Sequence, residues 1–122
     1  MRIIIADNEI FFAENVARYL QYEFDADVEY VGSASEAEES VNKTHFNLII
    51  GDLDLPDSND GVWLLKIAAA HPDLNIMITS AREIPSKIKN NKHIRLRGYF
   101  EKPFDLLELK KKILQLIEAH TI

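Results

Sequence analysis

The chain has 122 residues, no cysteine, 47% apolar and 28% charged side chains, and a formal net charge of −6. That length suits one compact domain spanning residues 1–122, with room for a real hydrophobic core. The missing cysteines exclude disulfide frameworks and thiolate metal sites. No apolar run approaches the ~20 residues of a membrane span and no signal-peptide pattern opens the chain, so a cytoplasmic setting is expected. The charge is unevenly spread: residues 1–81 hold 15 acidic and 4 basic side chains, and residues 82–122 hold 5 and 10. Crowded carboxylates in the first part suit a cation site. The basic second part suits an acidic partner or nucleic acid, although a solvated surface also accounts for it.

In chain order, Ile3-Ile4-Ile5-Ala6 is a continuous apolar run ending at Asp7, as in a strand buried on both faces. From about Ile10 to Phe24, Phe12, Val16 and Leu20 recur four apart and place one apolar stripe on a helix. Asp27 to Val31 alternates polar and apolar, which suits a half-exposed edge strand. Ser33 and Glu36 form a capping box that opens a polar helix to about Asn42. Leu48-Ile49-Ile50-Gly51-Asp52 is a second buried strand that ends in an aspartate, and residues 53–60, rich in Asp, Pro, Ser and Asn, read as a loop.

Val62 to Ala70 is helical, with Val62, Leu65 and Ala69 on one face, and Ile76-Met77-Ile78-Thr79 is a third buried strand. Pro85 suits the first turn of a short helix ending near Asn90-Asn91. Gly98-Tyr99-Phe100 is a brief last strand. Asp105 and Glu108 repeat the capping pattern before a final helix with Leu106, Leu109, Ile113 and Leu116/Ile117 as its stripe. Five strands alternating with five helices imply a parallel α/β sheet with right-handed crossovers. Ligands then sit outside the carboxyl ends of the strands, at the switch point of the topology. Two buried strands deliver aspartates there.

Four motifs follow in order: Asp7-Asn8-Glu9 after the first strand; Asp52 with Pro56 and Gly61; Ser80-Ala81 after the fourth strand; and Tyr99 ahead of Lys102-Pro103-Phe104. With these the chain resembles the receiver family of two-component response regulators over essentially its whole length. The resemblance implies a flavodoxin-like (CheY-like) (βα)5 doubly wound sheet of five parallel strands in the order 2-1-3-4-5. It implies a phosphoacceptor rather than an enzyme, with some self-dephosphorylation allowed. Asp52 would take a phosphoryl group from a histidine kinase or His-phosphotransfer protein. Mg²⁺ would be held by Asp7, Asn8, Asp52 and the backbone carbonyl of Asp54. Lys102 and Ser80 would contact the phosphoryl oxygens, and Ser80 with Tyr99 would form the switch. An output protein or domain would meet the face formed by residues 85–112.

The residue types make chemical sense. A carboxylate can act as a nucleophile and form an acyl phosphate. Two unit charges about 4 Å apart repel by ~4 kcal/mol at an effective dielectric near 20, so Asp7 beside Asp52 calls for a cation. Lys102 offers a point charge and Ser80 a hydroxyl donor. For Asp7 the plainer alternative is an N-cap on the first helix. For Lys102 it is a resting salt bridge to Asp52, and for Tyr99 an ordinary half-buried aromatic. Thr79 competes with Ser80, but the following Ala81 and the 22-residue spacing to Lys102 favour Ser80, leaving Thr79 buried in the strand.

Three departures from the family pattern stand out. Asn8 replaces a second aspartate, which should weaken Mg²⁺ binding unless Glu9 compensates. The segment Asp57-Ser58-Asn59-Asp60 makes its loop one residue longer than the commonest spacing. Arg95-Leu96 replaces the usual Gly-Ala, and Lys87, Lys89, Lys92, Arg95 and Arg97 make that region basic. Lys110-Lys111-Lys112 on the polar side of the last helix serves solubility. Competing expectations are a phosphorylation-independent interaction module, supported by Asn8, and a phosphohydrolase built on Asp52-Leu53-Asp54. Nucleic-acid binding is weaker still, since no recognised motif accompanies the basic segment.

Overall fold

A computed structural model describes residues 1–122. Five strands, β1 (Arg2–Ala6), β2 (Asp27–Val31), β3 (Leu48–Asp52), β4 (Asn75–Ser80) and β5 (Arg95–Glu101), form one parallel sheet in the order β2-β1-β3-β4-β5. The helices are α1 (Ile10–Phe24), α2 (Ala34–Lys43), α3 (Val62–Ala70), α4 (Ser86–Lys89) and α5 (Leu106–Glu118).

Strand periodicity of two sends alternate residues to opposite faces of the sheet. Ile3, Ile5, Leu48, Ile50 and Met77 meet Ala13, Val16, Ala17 and Leu20 of α1 and Leu109, Ile113 and Leu116 of α5. Ile4, Ala6, Ile49, Ile76 and Ile78 meet α2, α3 and Ile88 of α4 in a second core. This is why β1 and β3 read as unbroken apolar runs: both faces of each strand are covered.

Most boundaries agree with the sequence, and the differences have physical reasons. β4 extends one residue beyond the apolar run at each end, through Asn75 and Ser80. Asn75 is buried yet satisfied, donating to the carbonyl of Asn47 and accepting from Arg97 Nε. β5 runs over seven residues rather than three, because at the edge of the sheet Arg95 stays exposed while the half-buried Arg97 is held by Asn75 of β4. A register irregularity opposite Ile76/Met77 slips its pairing by one residue.

The buried face of α3 is Trp63, Leu64, Ile67 and Ala68, whereas Val62 and Ala69 are exposed and Leu65 only partly buried. Its sequence is apolar nearly all round, so periodicity picked the neighbouring face. Pro85 precedes α4 as its cap rather than standing in its first turn. Lys110 is not merely solvated, since its Nζ pairs with Glu23 Oε2 at 2.8 Å and ties α5 to α1.

The expected caps form with small differences. Ser33 Oγ accepts from the Glu36 N–H at 3.2 Å, but Glu36 reaches the Ser33 hydroxyl rather than its backbone. Asp105 accepts from the Leu107 N–H at 2.9 Å, one residue earlier than in a capping box.

Candidate functional site

Four strands deliver polar residues to the carboxyl edge of the sheet, and the backbone ladder continues far enough to fix each one. The Asp7 N–H donates to Val31 O at 3.0 Å, the Leu53 N–H to Thr79 O at 2.9 Å, and the Lys102 N–H to Ser80 O at 2.7 Å. Asp7 is 1% exposed and Asp52 9%, while Ser80 and Thr79 are buried. Thr79 therefore belongs to the strand, as expected, and Ser80 is the hydroxyl at its end.

The centre of the site is one ammonium between two carboxylates. Lys102 Nζ donates to Asp7 Oδ2 at 2.7 Å and to Asp52 Oδ2 at 3.0 Å, and its side chain is only 12% exposed. The ammonium also lies 4.8 Å from the centroid of Phe12, which packs edge-on against Phe104. The Lys102–Pro103 peptide bond is cis. Glu9 stands at the rim, 3.7 Å from the same ammonium.

The second oxygen of each carboxylate is also engaged. Asp7 Oδ1 accepts from the Glu9 N–H at 2.8 Å, and Asp52 Oδ1 from the Asp54 N–H at 3.1 Å. Glu9 occupies the cap position of α1 without a side-chain cap bond, so Asp7 is not the helix cap. Asp7 orders the turn and faces the site instead. The indole Nε1 of Trp63 donates to the carbonyl of Asp52 at 3.1 Å and anchors the strand end from below.

Burial holds the Asp52 carboxyl above the ordinary carboxylate range, and Asp7 adds to the rise, while Lys102 and the Asp54 N–H pull the other way. Burial alone would lower Lys102, but its bonds to Asp7 and Asp52 outweigh that and raise it. Two buried carboxylates share one ammonium, which leaves a surplus negative charge and oxygen donors facing one point. This donor set fits a hard divalent cation, which takes oxygen ligands and keeps several waters. No three His, Cys, Asp or Glu side chains converge into a cation cage anywhere in the chain, so neutral oxygens must complete any such set. Asn8 is exposed beside Asp7 and offers one.

Ser80 Oγ accepts from the Arg82 N–H at 3.0 Å. Beside it lies a cavity of about 330 Å³ lined by Ser80, Arg82, Ile84, Lys89, Tyr99 and Phe100, among others. Tyr99 forms its wall from outside: it is 57% exposed, with the Lys89 ammonium 5.2 Å from its ring centroid.

Residues 3–114 match the response regulator receiver domain family. The chain belongs to that family. Among curated proteins it is similar to the transcriptional regulatory protein PmrA of Pectobacterium parmentieri, 31% identical over 124 residues and covering 98% of this chain. The chain spans 54%, about half, of the length of that relative. Among solved structures it resembles a CheY-like receiver domain protein from Methanospirillum hungatei JF-1, with TM-score 0.86, 22% identity, and coverage of 97% of this chain and 94% of the other. It also resembles the non-phosphorylated HemR receiver domain from Leptospira biflexa, with TM-score 0.83, 24% identity, and coverage of 95% and 93%. These two likenesses speak to the fold, and both agree with the receiver architecture of order 2-1-3-4-5. Receiver domains are phosphoacceptors that interact with histidine kinases or phosphotransfer proteins. No helix of this one is long and apolar enough to cross a membrane.

Asp7, Asp52 and Lys102 meet at the receiver's centre, Ser80 stands one strand away, and Tyr99 lies at the outer wall of the cavity. Sequence reasoning missed Arg82 and Asp60. Arg82 is bonded to Asp54 and Asp60 across the mouth of the site. Both carboxylates belong to the long loop, and the extra residue there was the available signal.

Proposed function

We propose that residues 1–122 act as one receiver unit in the cytoplasm, in which Asp52 accepts a phosphoryl group from a histidine kinase or phosphotransfer protein. The observation that carries this is the buried Lys102 ammonium bridging Asp7 and Asp52. A carboxylate oxygen of Asp52 forms the new P–O bond while the donor's P–N bond breaks, the electron pair leaving with the imidazole. Lys102 is already on Asp52, and its point charge offsets the charge gathering on the transferred group. Asp7, Asn8, Asp52 and the Asp54 carbonyl would hold Mg²⁺, which when bound neutralises phosphoryl oxygens. Asn8 in place of a carboxylate weakens that affinity, and any slow loss of the phosphoryl group is hydrolysis of the acyl phosphate.

The arriving group adds roughly two negative charges and three acceptor oxygens. Ser80 donates its hydroxyl hydrogen to one of them, and Tyr99 turns into the cavity beside it. The altered face, residues 85–112, meets an output protein or domain. The phosphohydrolase alternative needs Asp54 as a general acid. Its carboxylate is instead paired with Arg82, which holds it below the ordinary carboxylate range.

Intact mass after incubation with a small-molecule phosphodonor, with and without Mg²⁺ and beside Asp52→Asn, tests the proposal. A gain of one phosphoryl group that needs both Mg²⁺ and Asp52 is the expected result. No gain in folded protein would favour a module that works without phosphorylation.

A further inference from the structure

Asp54, Asp60 and Arg82 close a ring across the mouth of the site. Arg82 Nε donates to Asp54 Oδ2 and Nη2 to Asp54 Oδ1, each at 2.9 Å, and Nη2 also reaches Asp60 Oδ1. The Asp60 N–H completes the ring on Asp54 Oδ1 at 2.9 Å. Asp60 reaches this position with φ at +58°, a left-handed backbone that aspartate tolerates better than most residues. One guanidinium therefore joins the loop that follows Asp52 at the end of β3 to the loop that follows Ser80 at the end of β4.

The ring is solvent-exposed, with the Arg82 side chain 44% accessible, so it adds little to global stability. Its geometry is nonetheless specific, because a planar fork engages Asp54 through two bonds and reaches Asp60 with one. The backbones at two corners of the ring touch the chemistry directly. The Asp54 N–H donates to Asp52 Oδ1, and the Arg82 N–H donates to Ser80 Oγ. On its other side the same loop is pinned by Asp57, whose two oxygens accept from the Ala34 and Ser35 N–H groups at the start of α2. All three acidic residues of the loop, Asp54, Asp57 and Asp60, are thus committed to holding it.

We propose that Arg82 is a positioning residue for phosphoryl acceptance: with Asp60, it fixes Asp54 so that the Asp54 N–H holds the Asp52 carboxylate in one orientation. This rests on the phosphoacceptor reading above. A rival account is charge alone, since Arg82 also neutralises two carboxylates near an anionic donor. The variants separate the two. Arg82→Gln removes charge and fork, Arg82→Lys keeps the charge, and Arg82→Gln/Asp60→Asn restores the net charge without the fork.

Two measurements on the full chain decide it. Amide hydrogen exchange of the unphosphorylated protein should show Asp54 and Asp60 losing protection in Arg82→Gln, with Ile49 and Met77 of the sheet unchanged. The phosphorylation rate with acetyl phosphate and saturating Mg²⁺ should fall about fivefold in Arg82→Gln, the upper end for an exposed ion pair. It should stay low in the charge-balanced double variant, with Arg82→Lys in between. Unchanged exchange at Asp54 and Asp60, or full recovery of rate in the double variant, overturns the positioning role. A wild type that takes no phosphoryl group overturns both proposals, whereas a phosphorylated wild type with unaffected Arg82 variants overturns this one alone.

Discussion

Replacing Lys102 by methionine isolates the electrostatics of the site. Methionine keeps an unbranched apolar stem against the Phe12 ring and deletes only the ammonium. Asp7 and Asp52 then face each other with no counter-charge, one 1% and the other 9% exposed. Removing one partner of a buried ion pair costs about 3–5 kcal/mol. Because the Lys102 side chain keeps 12% exposure, water can enter the gap, and the lower end, about 3 kcal/mol, is expected. Against a total of about 5–15 kcal/mol for a domain, that is a large loss. Asp52→Asn, in contrast, relieves the surplus charge and should leave stability within about 1 kcal/mol of wild type, or above it. The double variant Lys102→Met/Asp52→Asn should recover more than half of the loss, since the two residues share one network. Urea unfolding followed by emission of Trp63, the one tryptophan, measures all four proteins. If Lys102→Met unfolds within 1 kcal/mol of wild type, or if the double variant recovers nothing, the bridging ammonium is not what balances this site.

Gly51→Ala should be felt in both stability and the packing of Trp63. A Cβ at Gly51 would meet Cη2 and Cζ2 of Trp63 at 2.5 and 2.6 Å, closer than real contacts allow. The cost is about 1–3 kcal/mol, with a shifted Trp63 emission spectrum; an unchanged spectrum would show that the indole does not pack as described. Asp57→Ala should lower the melting temperature at neutral pH by loosening the start of α2. The two N–H groups it accepts hold the Asp57 carboxyl below its ordinary value of 3.8. A group depressed on folding stabilises above its unfolded pKa and loses that effect as the pH falls through the folded one. The gap between wild type and variant should therefore be full at pH 7 and close as the pH drops below 3.8; a gap that persists in acid points to packing instead.

The fold was legible wherever burial is two-sided or the helix period is clean. β1 and β3 were readable because Ile3, Ile4, Ile5, Leu48, Ile49 and Ile50 serve two cores at once. β5 was short-read because an edge strand tolerates an exposed Arg95 and an Arg97 held by Asn75 of β4, and a stretch with two arginines resembles a loop. The α3 face was misjudged because eight of its nine residues are apolar, so only the sheet could decide which of them face inward.

The site was legible at its centre for a related reason. Asp7 and Asp52 each end a buried strand, and an acidic residue in such a place is costly without a partner. That cost is a local signal, and Lys102 answers it from 50 residues away in sequence. Arg82, Asp54 and Asp60 carry no such signal. Each is polar and partly exposed, each has a cheap alternative in water, and the fork that joins them exists only once β3 and β4 lie side by side. Leaving the buried centre unbalanced costs a large share of the stability, so its composition is constrained. The exposed ring is free to vary with little loss of stability. Changes at positions 60 and 82 can therefore alter how the loop after Asp52 is held while leaving the buried cluster of Asp7, Asp52 and Lys102 as it is.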